Sequence, residues 1–490
     1  EFPRPQFDRG DACWLNLNGP WEYQTDRGQS GEQRGFQNGA PFSETIIVPF
    51  CRESVLSGIG DVDFCDSVWY RKTLTLPEGW AGKRVLFHIG ACDYYTKVWV
   101  NGQYMGDHIG GYVAFSFDIT KALKEGENTI TVGVTDHLRT GNQPGGKQSM
   151  LYHSYGCSYT RTTGIWQTVW LENVPKTRID YTRYYPDIER QTLTIEANVK
   201  GGEGMTLTAK ASFEGKAQGI GTTVVHGGKA VVEVPLDELH LWEVGNGRLY
   251  DLTLTMGEDT VESYFGMRKI ECRDGIFYLN GKVVFQRLVL DQGFYPDGIY
   301  TAPTDADLVR DIEYSMHLGF NGARLHQKVF EARFLYHADR MGYLVWGEYP
   351  NWWMDYKDPS VLHTYLPEWL ESVERDYNHP SIIGWCPYNE TINGKFDRQL
   401  ASNISLVYLA TKIADTTRPV IDTSGYEHTG KTDIYDIHAY SQDVEFFKKT
   451  FAAHAKGEFY EPRVDRQHYN GTDPFMVSEY GGIKWVGEQT

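Results

Sequence analysis

The stretch DADLVRDIEYSMHLGFNGARLH, residues 305–326, sets Leu308, Ile312 and Met316 four residues apart and then runs into the short apolar segment GFNGARLH. An apolar repeat of four is one face of an amphipathic helix, and a helix feeding a short strand is the unit of a parallel sheet with crossover connections. From Ile276 onward the alternation recurs, with candidate strands VVFQRLVL, GFNGARLH, GYLVWGEY, IIGWCPYNE, RPVIDTSG, IYDIHAY and FMVSEYG. Seven such units in one run favour a (β/α)8 TIM barrel over an open sheet. Only 222 residues run from 269 to 490 and the last strand found is the seventh, so the barrel is expected to be incomplete, its C-terminal part missing.

Upstream the rhythm is different. Between Trp14 and about Asn173, β-branched and aromatic runs such as ETIIVPF, SVWYRKTLTL, YTKVWVNG and NTITVGVTD alternate with Gly, Asn and Asp turns, which reads as a jelly-roll-like antiparallel β-sandwich. Asn101-Gly102 between two of these runs has the sequence of a type I′ hairpin turn. A further series, YTRYYPDI to GRLYDLTLTM, spaced about ten residues apart, suggests an immunoglobulin-like β-sandwich ending near Gly266. The expected organisation is therefore multidomain β plus α/β: sandwiches over 1–174 and 175–268, and the barrel over 269–490.

A chain of 490 residues is several domains long, and its 41% hydrophobic content is that of a globular protein. The net charge of −18 repels phosphate backbones and anionic lipid, so nucleic acid and membrane are not expected partners. Seven cysteines without a CxxC pair read as reduced thiols. No apolar run reaches the roughly 18 residues of a membrane span, and the opening EFPRPQFDRG has no signal pattern. A cytoplasmic, bacterial-type protein is expected, with secretion left open because the chain does not start at Met. Phosphate-loop, zinc-protease and serine-hydrolase motifs are absent from the sequence.

In an α/β barrel the reactive groups sit at the carboxyl ends of the strands. Glu348 ends VWGEY, Glu390 ends WCPYNE and Glu479 ends MVSEY. Taken singly, each could be a structural partner for Arg or Lys. Glu390 and Glu479, on the fourth and seventh strands, would face each other across the barrel mouth. Two opposed carboxylates are what cleavage of a glycosidic bond requires, one to protonate the departing oxygen and one to attack the anomeric carbon.

RDYNHPSIIGWCPYNE, residues 375–390, resembles the acid/base signature of the family 2 glycoside hydrolases, which include β-galactosidases, β-glucuronidases and β-mannosidases. NGARLHQKVFEARFLYHADRMGYLVW, residues 321–346, is similar to a degenerate form of the family's other signature, and RTTGIWQTVWLE, residues 161–172, is similar to its Gly-Ile-aromatic strand. The resemblance implies a sugar-binding-type first sandwich and a retaining exo-β-glycosidase with Glu390 as acid/base and Glu479 as nucleophile. It also implies Asn389 as the donor to the sugar 2-hydroxyl and Tyr440 as the phenol that holds the nucleophile. Arg324 is expected beside Glu479. His326, His438, Trp352 and Trp485 are candidate sugar contacts, with packing as the alternative. No metal or organic cofactor is expected, the partner is a carbohydrate substrate, and a homo-oligomer through the sandwiches is left open. A carbohydrate-binding protein without turnover would have lost Glu390 or Glu479.

Departures from the family pattern fall where the sugar is gripped. Gly156-Cys157-Ser158 stands where galactosidases send an Asp into the barrel, Arg287 to Gly293, with Asp291, replaces a His-Glu pair, and Gln327-Lys328 replaces Tyr-Pro. The first reading is a β-galactosidase. The alternative is a β-uronidase, for glucuronide or galacturonide, because Arg287, Arg324 and Lys328 could pair with a carboxylate.

Overall fold

The computed structural model of the chain describes residues 1–80, 82–391, 398–461 and 469–481. Its first sandwich packs a six-stranded sheet, whose central members are Ser67–Thr75 and Glu127–Thr135, against a four-stranded one holding Val169–Val174 and Arg84–Ile89. Alternation along these strands buries Trp21, Tyr23, Val68, Tyr70, Val98, Val132 and Phe87 between the layers. The Asn101-Gly102 turn joins Tyr95–Val100 to Gln103–Ile109 with φ of 50° and 80°, the left-handed pair a type I′ hairpin needs. The second sandwich has a three-stranded and a four-stranded sheet, running from Arg178–Asp187 to Asp259–Phe265, over a core that includes Leu193, Ile195, Leu252 and Leu254.

In the barrel, Leu288–Asp291, Gly322–Leu325, Leu344–Glu348 and Ile382–Cys386 form one parallel ladder, and Tyr435–Ala439 pairs in parallel with Phe475–Tyr480. The helix Asp305–His317 starts at a capping box between Thr304 and Asp307 and buries Leu308 and Ile312, with Met316 packed beside them. Two strand expectations change. VVFQRLVL is a strand only from Leu288, because Lys282–Val283 turns back to pair with Ile276–Leu279. RPVIDTSG is no continuous strand: it meets its neighbour through the bridges Trp385↔Val420 and Asn389↔Ser424. Between those bridges the Asp422 carboxylate takes the backbone N–H of Thr423 at 2.8 Å, a local bond that competes with the ladder.

The first sandwich is bolted to the barrel. Ala91, Tyr112 and Trp166 belong to the same apolar cluster as Tyr300, Phe330 and Tyr349. Glu368, on the helix Leu362–Asp376, accepts from the Tyr112 N–H at 2.6 Å and the Tyr349 hydroxyl at 2.5 Å. All seven cysteines are unpaired. Among the described residues no helix is long and apolar enough to cross a membrane.

Candidate active site

Each functional side chain leaves the carboxyl end of a barrel strand. Arg324 lies buried at the centre: Nε donates to Glu348 Oε1 at 2.7 Å, Nη1 to Glu479 Oε1 at 3.1 Å and Nη2 to Asn389 Oδ1 at 2.6 Å. One guanidinium thus fixes three side chains from three strands, as its planar fork of donors allows. His326 Nδ1 stands 3.0 Å from Glu348 Oε2. Glu348 is therefore the partner of Arg324 and His326, and burial, which raises its carboxyl, is outweighed by those two so that it lies below its ordinary value.

Glu479 owes its direction to a bulge. Ile437 faces Val477, yet His438 faces Glu479, so Ser478 is the extra residue and the strand turns Glu479 onto the His438 side. The Tyr440 hydroxyl donates to Glu479 Oε2. Burial pushes the Glu479 carboxyl up, but Arg324, His438, His326 and the Tyr440 hydroxyl bring it down to about 2.

Glu390 sits at φ 47°, in the left-handed region. Its N–H donates to the Ser424 carbonyl at 2.9 Å, which holds the turn. Its Oε1 lies 2.7 Å from His438 Nδ1, while His438 Nε2 is 3.4 Å from Glu479 Oε1 and 3.0 Å from Ser424 Oγ. The imidazole thus bridges the two carboxylates. Ser424 Oγ donates onward to Asp436 at 2.6 Å, and Asp436 also pairs with His428. Glu390, His438 and Glu479 each offer one ligand atom within 4.8 Å of the others, the one such group among the described residues, so a cation would compete with substrate for the same atoms.

Asn389 is buried, and its Nδ2 finds no partner among the described residues. The Trp352 indole N–H donates to the Asn389 carbonyl at 3.2 Å, which puts the ring at the site. Trp485 lies outside the described residues. Two expected residues are not brought there. Arg287 precedes the first barrel strand, at the opposite end from the mouth, where its Nε donates to the Gly319 carbonyl at 3.0 Å. Asp291 pairs in register with Leu325, one position out of phase with Arg324, so it faces the first helix and lines a crevice with Tyr295 and Asp311. Lys328 is spent: buried, it donates to the carbonyls of Gly293 at 2.6 Å and Tyr300 at 2.7 Å, and burial pushes it down to about 8.

Sequence reasoning missed Lys147, carried by the sandwich segment between Leu138–Thr140 and Gly164–Ile165. Its Nζ lies 3.5 Å over the Trp352 ring and 3.7 Å from Cys157 Sγ. The only signal was Gly145-Gly146-Lys147 in a loop already singled out for Cys157. Gln327 and Asn351 were also missed as the pair that braces Asn389, with Gln327 Nε2 donating to Asn351 Oδ1 at 2.6 Å and Asn351 Oδ1 accepting from the Asn389 N–H at 2.9 Å.

Models of the glycosyl hydrolases family 2 match in sequence along the chain: the sugar binding domain at residues 60–175, the family 2 domain at 177–268 and the TIM barrel domain at 270–486. The chain belongs to the family 2 glycoside hydrolases. Relatives of this family 2 β-glycosidase include the β-glucuronidase of Felis catus, 28% identical over 476 residues that cover 84% of this chain and 69% of the relative. The β-galactosidase of Thermoanaerobacter pseudethanolicus is 28% identical over 340 residues, 65% of this chain and 44% of that one. The fold is that of a β-glucuronidase from Ruminococcus gnavus solved with uronic isofagomine, with a TM-score of 0.82 at 19% identity over 98% of this chain and 86% of that chain.

Proposed function

We propose that this family 2 glycoside hydrolase is a retaining exo-β-glycosidase, with Glu479 as nucleophile and Glu390 as general acid/base, and that the sugar it releases is a β-linked uronic acid. The observation that carries the mechanism is the spacing: Glu390 and Glu479 present oxygens within 4.8 Å of each other. Retention goes with carboxyl groups roughly 5 Å apart, and inversion needs about 6.5–9.5 Å to admit a water.

In the first step a Glu479 oxygen bonds to the anomeric carbon as the bond to the aglycone oxygen breaks, and Glu390 gives that oxygen its proton. In the second, water passes a proton to Glu390, attacks the same carbon and displaces Glu479 as a carboxylate. The hydrogen-bond chain supports this division. Ser424 Oγ donates to Asp436, so it accepts from His438 Nε2, and His438 Nδ1 is left facing Glu390 Oε1 at 2.7 Å, one hydrogen bond from the group that must give and take the proton. Glu479, held down to about 2, is ionised and ready to attack. The Asn389 Nδ2 group, without a partner among the described residues, is the donor for the sugar 2-hydroxyl.

The uronide stands ahead of the galactoside because the Felis catus and Ruminococcus gnavus proteins are β-glucuronidases. The galactoside reading keeps the Thermoanaerobacter relative in its favour. A panel of nitrophenyl β-glucuronide, β-galacturonide, β-galactoside and β-mannoside decides between them. A matching 2-deoxy-2-fluoro glycosyl fluoride should add its mass to the Glu479 peptide. Labelling elsewhere, an inverted product, or activity that requires an added metal after chelation would overturn the mechanism.

A further inference from the structure

We propose that Lys147, delivered by the first sandwich to the barrel mouth, is a cation that reads the carboxylate of the substrate sugar, an inference that rests on the uronide reading above. The three cations that the sequence offered for this role are unavailable. Arg324 is saturated by Glu348, Glu479 and Asn389, Lys328 by two carbonyls, and Arg287 lies at the far end of its strand.

Lys147 differs from all of them. Only 4% of its surface is exposed, and among the described residues its ammonium has no carboxylate within ion-pairing distance and no oxygen acceptor. Its neighbours are the face of Trp352 at 3.5 Å and the Cys157 sulfur at 3.7 Å. A cation–π contact compensates such burial only in part, and a desolvated ammonium without an anion is costly. Lys328 shows how this protein places a lysine for structure, with carbonyls at 2.6 and 2.7 Å. Lys147 instead has only the Cys157 sulfur as a hydrogen-bond acceptor among the described residues, and burial lowers the ammonium while Cys157, Glu479 and Glu390 raise it.

The position is rigid. The N–H groups of Gly145 and Gly146 donate to the Trp352 and Pro350 carbonyls at 3.0 and 3.2 Å, Tyr159 N–H donates to the Lys147 carbonyl at 2.7 Å, and Gln148 Nε2 donates to buried Asp93 at 2.8 Å. Trp352 in turn donates to the Asn389 carbonyl. The ammonium is thereby fixed relative to the residue that would hold the 2-hydroxyl, so the sugar would be gripped at both sides of the ring. A carboxylate there gains a charge-assisted hydrogen bond in a dry site, which a neutral hydroxymethyl group cannot match.

The test compares wild type with Lys147→Met and Lys147→Arg on paired nitrophenyl β-glucuronide and β-glucoside, and on β-galacturonide and β-galactoside. In parallel, affinity for uronic isofagomine and for isofagomine is measured by calorimetry. Removing one partner of a desolvated charge pair should lower kcat/KM for the uronide by about 100-fold in Lys147→Met, and weaken uronic isofagomine to a similar degree, with far smaller changes for the neutral partners. Lys147→Arg should recover part of the loss. If wild type turns over uronides and Lys147→Met damages acidic and neutral ligands alike, Lys147 is a support for Trp352 and the proposal falls while the uronide reading stands. If wild type prefers the neutral sugar in both pairs, the uronide reading falls and takes this assignment with it.

Discussion

Glu390 follows the strand Ile382–Cys386 and Glu479 lies at the end of Phe475–Tyr480, yet their surroundings set opposite demands. Glu479 has an arginine, two histidines and a phenol aimed at it; Glu390 has one imidazole nitrogen. Replacing Glu390 by Ala should therefore hurt poor leaving groups most and activated aryl glycosides least, with azide restoring turnover as a glycosyl azide of unchanged configuration. Equal losses across a leaving-group series would make Glu390 structural. Tyr440→Phe removes a donor to ionised Glu479, worth about 1.5–3 kcal/mol, so turnover should fall roughly 10- to 100-fold. Its pH signature has a fixed sign. As the proposed nucleophile Glu479 must be ionised, its depressed carboxyl keeps it so until pH falls through about 2, and losing the phenol raises that value. The acid limb of kcat/KM should move to higher pH, and an unmoved limb would count against the assignment. The positions of the two carboxylates and of Arg324 at one barrel mouth could be expected because a polar residue closing an apolar strand has one place to go, whereas Asn389 and Tyr440 were expected there only from the family resemblance. Asp291 closes a strand too, and there sequence fails, since a single step in register separates the barrel interior from the helix layer.

At the scale of elements, the loop that carries Lys147 belongs to one domain and is anchored on another. Strand rhythm identifies both domains from sequence, and the Asn101-Gly102 hairpin down to its turn type. It carries no information about which loop of a sandwich touches which strand end of a barrel, because that depends on docking through Tyr112, Trp166 and Tyr349. The fifth strand was misread for a more local reason, the Asp422 carboxylate taking its own neighbour's N–H. Two glycines of the loop test how firmly it is seated. Gly146 and Gly156 both have φ of 54°, but a Cβ on Gly146 would stand 2.4 Å from the Gln327 carbonyl oxygen, whereas one on Gly156 meets nothing within 4 Å. Gly156→Ala should cost only the left-handed penalty, about 1 kcal/mol, with activity nearly intact. Gly146→Ala must also push the loop off the barrel, so it should lose both thermal stability and kcat/KM. Equal behaviour of the two variants would mean that the loop is not anchored there.

Across the whole molecule, the joint between sandwich and barrel should set the pH range of stability. Burial pushes the Glu368 carboxyl up to about 7, with the Tyr349 hydroxyl and Tyr112 N–H opposing the rise. Burial likewise pushes Asp291 up to about 6, with the Gly293 N–H opposing. A raised carboxyl binds its proton more tightly folded than unfolded, so its contribution is complete below the ordinary value of 4.5 and is lost as pH rises toward 7. Glu479 has the opposite sign: its contribution is complete above 4.5 and is lost as pH falls toward about 2. The two groups together place the stability maximum on the acid side of neutrality, near pH 5, with a decline in each direction. Glu368→Gln keeps the shape and hydrogen-bonding reach of the protonated acid without the charge. Its thermal midpoint should exceed that of wild type at pH 8, match it near pH 4.5, and change less between them. If wild type and Glu368→Gln instead lose stability in parallel as pH rises from 4.5 to 8, then Glu368 is not the group that titrates, and the joint is held by its aromatic contacts alone.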